Sequence, residues 1–212
     1  MTRLLLLLLL AARLGAAPPA GPGPILPPGA GEAAWRPLFS ALAGQGPVYS
    51  RFTERRWFGF RKEPVTLDGE MRLDPVRGLS LRYVRPQEAL MVIDRRGIVV
   101  RDARGRSREL PADPRIGAVE RALLPALRFD LAEVRSYFVV HAVRDGQDWR
   151  LDLEPTDPAL RHALRQLTIE GTGVAVRAIE FNRSATQRVS IEVSETRTGA
   201  VFSPDELARY FR

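Results

Sequence analysis

The chain has 212 residues, no cysteine and a formal net charge of +7, from 32 basic and 25 acidic side chains. The absence of cysteine excludes a disulfide bond and a thiol for lipid attachment. Arginines stand beside acids along the whole chain, for example in residues 54–56 and 94–96, which is typical of a solvated surface and disfavours nucleic-acid binding. A basic rim that meets anionic lipid headgroups or an acidic protein is the open alternative.

Residues 1–17 have the order of a secretory signal peptide. A basic start with Arg3 precedes the apolar residues 4–12, and small residues follow at 15–17. The apolar run is shorter than the roughly 20 residues that span a bilayer, so we expect a cleaved leader and a soluble protein in a bacterial periplasm. An uncleaved apolar tail is the alternative.

A linker rich in proline and glycine follows at residues 18–30, where neither a helix nor a sheet ladder is expected. The remaining residues, 31–212, have the size of a single domain with one core.

Apolar and polar residues alternate through most of the chain after residue 48. Val65, Leu67, Met71 and Leu73, for example, share one face of a predicted strand, while the residues between them share the other. The same period predicts nine or more strands, at residues 48–58, 65–73, 79–83, 90–93, 98–101, 139–143, 149–153, 167–169, 174–176 and 189–193.

Three stretches have helical periodicity instead. Residues 32–43 form an amphipathic helix that ends at Gly44, residues 114–127 follow Asp113 as a plausible N-cap, and a last helix starts at Ser203. Helices placed between many antiparallel strands predict one curved sheet that is partly covered by helices.

Several short motifs, taken in order, resemble the outer-membrane lipoprotein carrier (LolA) family. They are residues 52–55 after the first helix, residues 69–71 with 78–83, a Pro-containing turn at 85–88, a hairpin at 90–100, and residues 149–155, which are similar to an F-x-L-x-P strand. The resemblance implies a mainly β fold with some α structure. That fold is an incomplete (half-open) antiparallel β-barrel, LolA/LolB-like, whose apolar concave face is covered by a helical lid.

The resemblance also implies a function. Such a protein is a periplasmic carrier that binds the acyl chains of lipoproteins, or of another exported lipid such as a glycolipid, and shuttles them between the inner and outer membranes. The implied partners are an ABC-type inner-membrane exporter and an outer-membrane acceptor, with a monomeric carrier and no cofactor. A periplasmic sensor or regulatory protein-binding domain on the same fold, without cargo transfer, is the alternative.

The expected binding site is an apolar cavity. Ligand contacts are predicted at Phe52, Leu79, Leu81, Tyr83, Met91 and Phe138, and lid contacts at Ile116, Val119, Leu123 and Leu124. In the family an arginine next to a proline latches the lid. Here that pair is replaced by Asp74 and Pro75, and Arg77 is the nearest candidate latch.

The sequence offers little for catalysis. The histidines, His141 and His162, are far apart, and a structural role is expected for both. Asp148, Asp152 and Glu154 share one strand face and could bind a cation, but they are expected on the solvent side. Since the sequence has no phosphate-binding loop, nucleophile elbow or metal motif, we predict a protein that is not an enzyme.

Overall fold

The structure is a computed structural model that describes residues 23–109 and 113–212, without the side chains of residues 30 and 114–116. The predicted signal peptide and the first part of the predicted linker therefore lie outside the described residues.

The centre of the fold is one antiparallel sheet of eleven strands in the order β6-β5-β4-β3-β2-β1-β11-β10-β9-β8-β7. Two meanders meet where β1 pairs with β11, and within the described chain the two edge strands do not pair with each other, so the sheet stays open. The strands are β1 (Val48–Trp57), β2 (Val65–Asp74), β3 (Gly78–Arg85), β4 (Ala89–Asp94), β5 (Gly97–Asp102), β6 (Ser107–Glu109), β7 (Phe138–Asp145), β8 (Asp148–Pro155), β9 (Gln166–Thr172), β10 (Ala175–Asn182) and β11 (Arg188–Thr198).

Short helices interrupt the sheet. They are α1 (Arg36–Ala43), α2 (Pro114–Leu127), α3 (Leu131–Val134), α4 (Pro158–Ala163) and α5 (Pro204–Tyr210), with a 3₁₀ turn at Gly29–Glu32 before α1. α5 begins as the sequence predicts, because Ser203 and Glu206 form a reciprocal capping box. The mainly β fold with an open sheet is confirmed, whereas β6 and α4 were missed because both are very short.

Cross-strand pairing defines the inner face of the sheet. Phe52 lies opposite Gly69 and Val193, and Leu81 lies opposite Met71 and Met91. Side chains that face each other across an antiparallel pair point to the same side. The inner face is therefore apolar across both meanders, and its buried residues form one core with the buried residues of α1 and α2.

The end of the predicted linker is part of the fold. The Leu26 N–H donates to the Val140 carbonyl at 2.8 Å, the Ala142 N–H donates to the Pro24 carbonyl at 3.1 Å, and the Leu26 side chain is buried. Folded structure thus begins before residue 31, earlier than predicted. Prolines are tolerated at a sheet edge, and Leu26 supplies the N–H that they lack.

The outer face of the first meander is covered by the C-terminal segment. Tyr210 and Phe211 are buried there, and the Arg72 guanidinium lies 3.7 Å from the Tyr210 ring centroid. Arg101 donates to the carbonyls of Arg209 and Phe211 at 3.0 and 3.3 Å. Because these contacts occupy the outer face of β2 to β5, the inner face is the side left for a ligand.

Candidate functional site

A cavity of about 460 Å³ lies on the inner face, between α1 and the middle strands. This volume falls within the roughly 300–1,000 Å³ of small-molecule sites. Its wall comes from α1, from strands of both meanders and from the junction between α2 and α3. The main apolar contributors are Phe39, Leu42, Val48, Met71, Leu73, Leu79, Leu127, Phe129, Leu131, Ile169, Val176, Ile179 and Val193.

The local sequence explains why a space remains under α1. α1 has only eight residues and buries Leu38, Phe39 and Leu42, of which Phe39 and Leu42 reach the cavity. Beneath it the sheet presents the small polar pair Ser50 and Thr196, whose hydroxyls hydrogen-bond to each other at 3.0 Å. A short helix over small side chains leaves the sheet unfilled at this point.

Arg128 is the one cationic side chain in the cavity wall described by the structure. Its Nε and Nη2 atoms are buried and have no hydrogen-bond partner. Burial, together with the like charge of Arg95, holds the pKa of the Arg128 guanidinium below its usual value, while Glu133, Asp74 and Asp130 act in the opposite direction. A guanidinium remains charged in proteins, so the wall carries an unpaired positive charge.

The nearby carboxylates are engaged elsewhere. Asp130 caps α3 by accepting the Glu133 N–H at 3.1 Å. Asp74 accepts the N–H groups of Val76 and Arg77, both at 2.8 Å, in the turn between β2 and β3. The structure therefore places acids close enough to influence Arg128 without a direct hydrogen bond to its buried nitrogens.

The junction that carries Arg128 has an unusual backbone. Phe129 follows it with φ of 56°, a left-handed conformation that glycine normally adopts at the end of a helix. The Phe129 ring packs edge-on against Trp149, with centroids 5.9 Å apart. Pro125 lies one turn earlier, inside α2. Packing of the ring thus compensates for a backbone that is intrinsically unfavourable.

All of the predicted cavity residues lie on the inner face, but they are not all in the cavity wall. Leu79 lines the cavity. The others are in the surrounding core, where Met91 is half-buried and the rest are fully buried: Phe52, Leu81, Tyr83 and Phe138. Their contact with a ligand stays a prediction.

Tyr83 belongs to a buried polar cluster. Its hydroxyl donates to Glu54 Oε2 at 2.9 Å and accepts from Arg56 Nη2 at 3.3 Å, and Arg56 Nε also donates to Glu54. Burial, followed by the nearby Glu54 carboxylate, raises the pKa of the Tyr83 phenol far above its usual value. Tyr83 therefore stays protonated and serves as a hydrogen-bond donor within the fold.

The predicted lid lies on the inner side of the sheet. Leu123 and Leu124 of α2 are buried in the same core as the inner-face residues, and Val119 packs against it. The side chain of Ile116 lies outside the described residues. Arg77 is exposed in the turn between β2 and β3, where its backbone N–H is bound by Asp74. Arg128 is the arginine that the structure places at the end of α2.

Sequence reasoning missed Arg128, although one signal was present. Arg128 interrupts residues 122–131, which are otherwise apolar apart from Asp130. A single cationic side chain in such an apolar segment is expected to face a cavity or to form a buried ion pair. The contribution of α1 to the wall was also missed, since periodicity shows which side of a helix is buried but not what it covers.

The acidic strand face differs from the prediction at one position. Asp152 is 2% exposed rather than on the solvent side, and it accepts hydrogen bonds from Arg150, Gln166 and Thr168. Asp148 and Glu154 are exposed. Within the described residues, no group of acids and histidines has the arrangement of a metal site.

The histidines have ordinary backbone contacts. His141 Nδ1 lies 2.9 Å from the Gly23 carbonyl, and His162 Nδ1 lies 2.7 Å from the Pro158 carbonyl of its own helix. Both contacts fix the imidazole rings to the backbone, as the sequence interpretation expects.

The fold and the cavity define a class of protein in which an open antiparallel sheet holds an apolar cavity under short helices. The sequence model of the LolA-like outer membrane lipoprotein carrier proteins matches residues 27–208. The chain therefore belongs to this family, whose members are carrier or binding proteins. No curated protein matches the sequence.

Solved structures with a similar fold share little sequence with the chain. A LolA superfamily protein of Nitrosomonas europaea is 7% identical with a TM-score of 0.44, covering 81% of this chain and 96% of that one. MucB in its complex with MucA from Pseudomonas aeruginosa is 14% identical with a TM-score of 0.45, over 82% and 59%. LprF of Mycobacterium bovis is 13% identical with a TM-score of 0.34, over 79% and 92%.

Across the described residues, none of the helices has the length and apolar character needed to cross a bilayer.

Proposed function

We propose that this protein is a periplasmic carrier that binds acyl chains of lipoproteins or of another exported lipid in the cavity under α1. The observation that carries the proposal is the cavity itself, whose wall on the inner face of an open sheet is mostly apolar, with Arg128, Asp130 and a few neutral polar side chains. Membership of the lipoprotein carrier family supports the same function.

The energetics of the cavity are suited to an acyl chain. Each methylene transferred from water contributes roughly 0.8 kcal/mol, so ten methylenes give about 8 kcal/mol before the costs of association. Lost translational and rotational freedom offsets part of this gain, so the net binding is weaker than the micromolar dissociation constant to which about 8 kcal/mol alone would correspond. A ligand held at this strength is retained during diffusion and can still be surrendered to a better apolar surface.

The junction between α2 and α3 is the part of the cavity wall that we expect to move when a ligand enters. The wall on one side is the junction between α2 and α3, where Phe129 holds a left-handed backbone. Rotation of this one residue into an ordinary conformation would relieve the backbone cost and withdraw its ring from Trp149. We infer that α2 and the junction act as the lid and that Phe129 is its pivot.

The proposed setting follows from the same function. Residues 1–17 would direct export, and the carrier would work as a monomer between an inner-membrane exporter and an outer-membrane acceptor. Arg77 is unsuited to latch the lid in this state because it is exposed in a turn. A sensor on the same fold would bind a specific protein and would not require an occupied cavity.

The test is mass spectrometry of organic extracts from protein purified out of the periplasm without detergent. Val176 lines the cavity, so Val176→Trp should fill it and abolish copurifying acyl lipids. Val174, two residues away and 51% exposed, gives the matched control Val174→Trp, which should retain them. Lipid-free wild-type protein would refute the carrier and favour the sensor.

A further inference from the structure

Arg128 places a positive charge in a cavity wall that is otherwise mostly apolar. Its Nε and Nη2 atoms are buried without a hydrogen-bond partner, and its neighbours in the cavity wall are the apolar Leu127, Phe129 and Leu131 together with Asp130. Leaving a charged donor unsatisfied in a buried position is more unfavourable than leaving a neutral donor unsatisfied there. Such a cation is expected where a partner arrives from outside the chain.

The surrounding charges do not provide that partner. Asp130 and Asp74 are held by backbone N–H groups of the α3 cap and the β2–β3 turn. Glu133 is exposed to solvent, and Arg95 is a further positive charge in the neighbourhood. The described surroundings of Arg128 therefore leave a pair of donors unused, because the nearby acids influence the guanidinium without hydrogen-bonding to its buried nitrogens.

A planar guanidinium offers Nε and a terminal nitrogen as a fork that matches two oxygens of one carboxylate or phosphate. A neutral head, such as an ester-linked glyceryl group, accepts hydrogen bonds but brings no charge. An apolar chain could lie under α1 against Ile179 and Val193 while its head reaches the fork.

We propose that the ligand is a single-chain amphiphile with a terminal oxyanion, either a carboxylate or a phosphate monoester, whose head is bound by Arg128 and whose chain fills the cavity. This inference rests on the proposed acyl-binding function and narrows it to anionic lipids. It makes Arg128 a specificity-determining residue.

The test measures binding of dodecanoate, dodecyl phosphate and dodecanol below their micellar concentrations, by displacement of a fluorescent apolar probe. Arg128→Gln should weaken the affinity for both anions on the order of ten- to hundred-fold, because one charge-assisted hydrogen-bond pair is lost. The affinity for dodecanol should not change. Arg95→Gln is the matched control, because it removes a nearby exposed charge that lies outside the cavity wall; it should change anion binding less than about threefold.

The outcomes separate the inference from the function on which it rests. Equal affinity of wild-type protein for dodecanol and dodecanoate, with no effect of Arg128→Gln, would overturn the head-group site and leave the acyl cavity standing. Failure of all three amphiphiles to bind, together with no effect of Val176→Trp, would instead refute the cavity as a lipid site. Binding of inorganic phosphate as tightly as dodecyl phosphate would identify an ion site and also overturn the proposal.

Folding of the variant is checked independently. Arg128→Gln replaces a half-buried guanidinium, whose Nε and Nη2 have no partner, by a neutral group, so its thermal midpoint should equal or exceed that of wild type. If this variant unfolds, Arg128→Lys keeps the charge and removes the fork. The lysine variant should then bind the anions with an intermediate affinity, and wild-type affinity for both would contradict recognition by a fork.

Discussion

Replacement of Tyr83 by phenylalanine removes one hydroxyl from the buried cluster on the inner face. The hydroxyl donates to Glu54 at 2.9 Å and accepts from Arg56 at 3.3 Å. A hydrogen bond to a charged group is worth about 1.5–3 kcal/mol, and the buried Glu54 carboxylate would keep Arg56 as its remaining partner. We expect Tyr83→Phe to lower the free energy of unfolding by about 2 kcal/mol, with the apolar packing against Phe52 retained.

The assay is urea unfolding followed by circular dichroism, with thermal unfolding as a second measure. A loss of this size corresponds to about 4–8 °C for a domain of 150–250 residues. Tyr137→Phe is the matched control, since its hydroxyl has no side-chain partner among the described residues, and it should change stability by less than about 0.5 kcal/mol. In a double-mutant cycle, Tyr83→Phe and Glu54→Gln should couple by at least about 0.5 kcal/mol. Equal losses for Tyr83→Phe and Tyr137→Phe, or simple additivity in the cycle, would refute the cluster as a stabilising unit.

Two further predictions concern the edges of the fold. Leu26→Ala should lower the free energy of unfolding by about 2–4 kcal/mol, because a buried side chain is lost. Ile25 is 60% exposed, so Ile25→Ala should change the free energy of unfolding by less than about 0.5 kcal/mol. Similar effects of the two variants in urea unfolding would contradict the anchoring role of Leu26. Burial would raise the pKa of Asp94, but hydrogen bonds from Arg212 and from the backbone N–H of Arg96 outweigh it and hold the pKa below its ordinary value. The Asp94 contribution is thus present above about pH 4 and lost as the pH falls through the folded-state pKa, so Asp94→Asn should destabilise at pH 7 and converge with wild type in strong acid. A constant difference between the two unfolding curves from pH 7 to pH 2 would show that the Asp94 charge contributes nothing.

Strand periodicity predicted the buried face of some strands but not of all. Leu79, Leu81 and Tyr83 alternate along β3 and are buried together, because alternation within a strand is a local property of the sequence. The almost continuous apolar run of residues 138–143 does not show which side of β7 is buried, and the structure buries Phe138, Val140 and Ala142.

The polarity of a side chain predicted its exposure less well. Asp152 occupies an outward position and is nevertheless buried, since it accepts hydrogen bonds from Arg150 in its own strand and from Thr168 in the neighbouring strand β9.

The position of the cavity depends on packing that the sequence does not specify locally. Leu79 and Leu81 are equivalent in the strand pattern, but Leu79 lies in the cavity wall and Leu81 in the filled core. Pairing of Leu26 with β7 was also missed, because a segment rich in proline is not expected to join a sheet, although the Leu26 N–H donates to the Val140 carbonyl.

The inner face is divided into a filled part and a hollow part, and the helices explain the division. α2 buries the small residues Ala118, Ala122 and Ala126 besides its leucines, whereas α1 buries the larger Leu38, Phe39 and Leu42. On the α2 side of Phe129 only a void of about 10 Å³ remains, and it shares Phe39, Phe129, Leu131 and Ile169 with the large cavity.

Phe129 is therefore the partition between the hollow and the filled core. Withdrawal of its ring would join the two spaces and lengthen the apolar channel towards Leu151 and Leu153 without moving a strand. Because the neighbouring residue is Arg128, the same backbone rotation would shift the guanidinium together with the ring. In the proposed carrier, a ligand that binds Arg128 would act on the residue next to Phe129, and binding of the head would then be coupled to movement of the proposed lid.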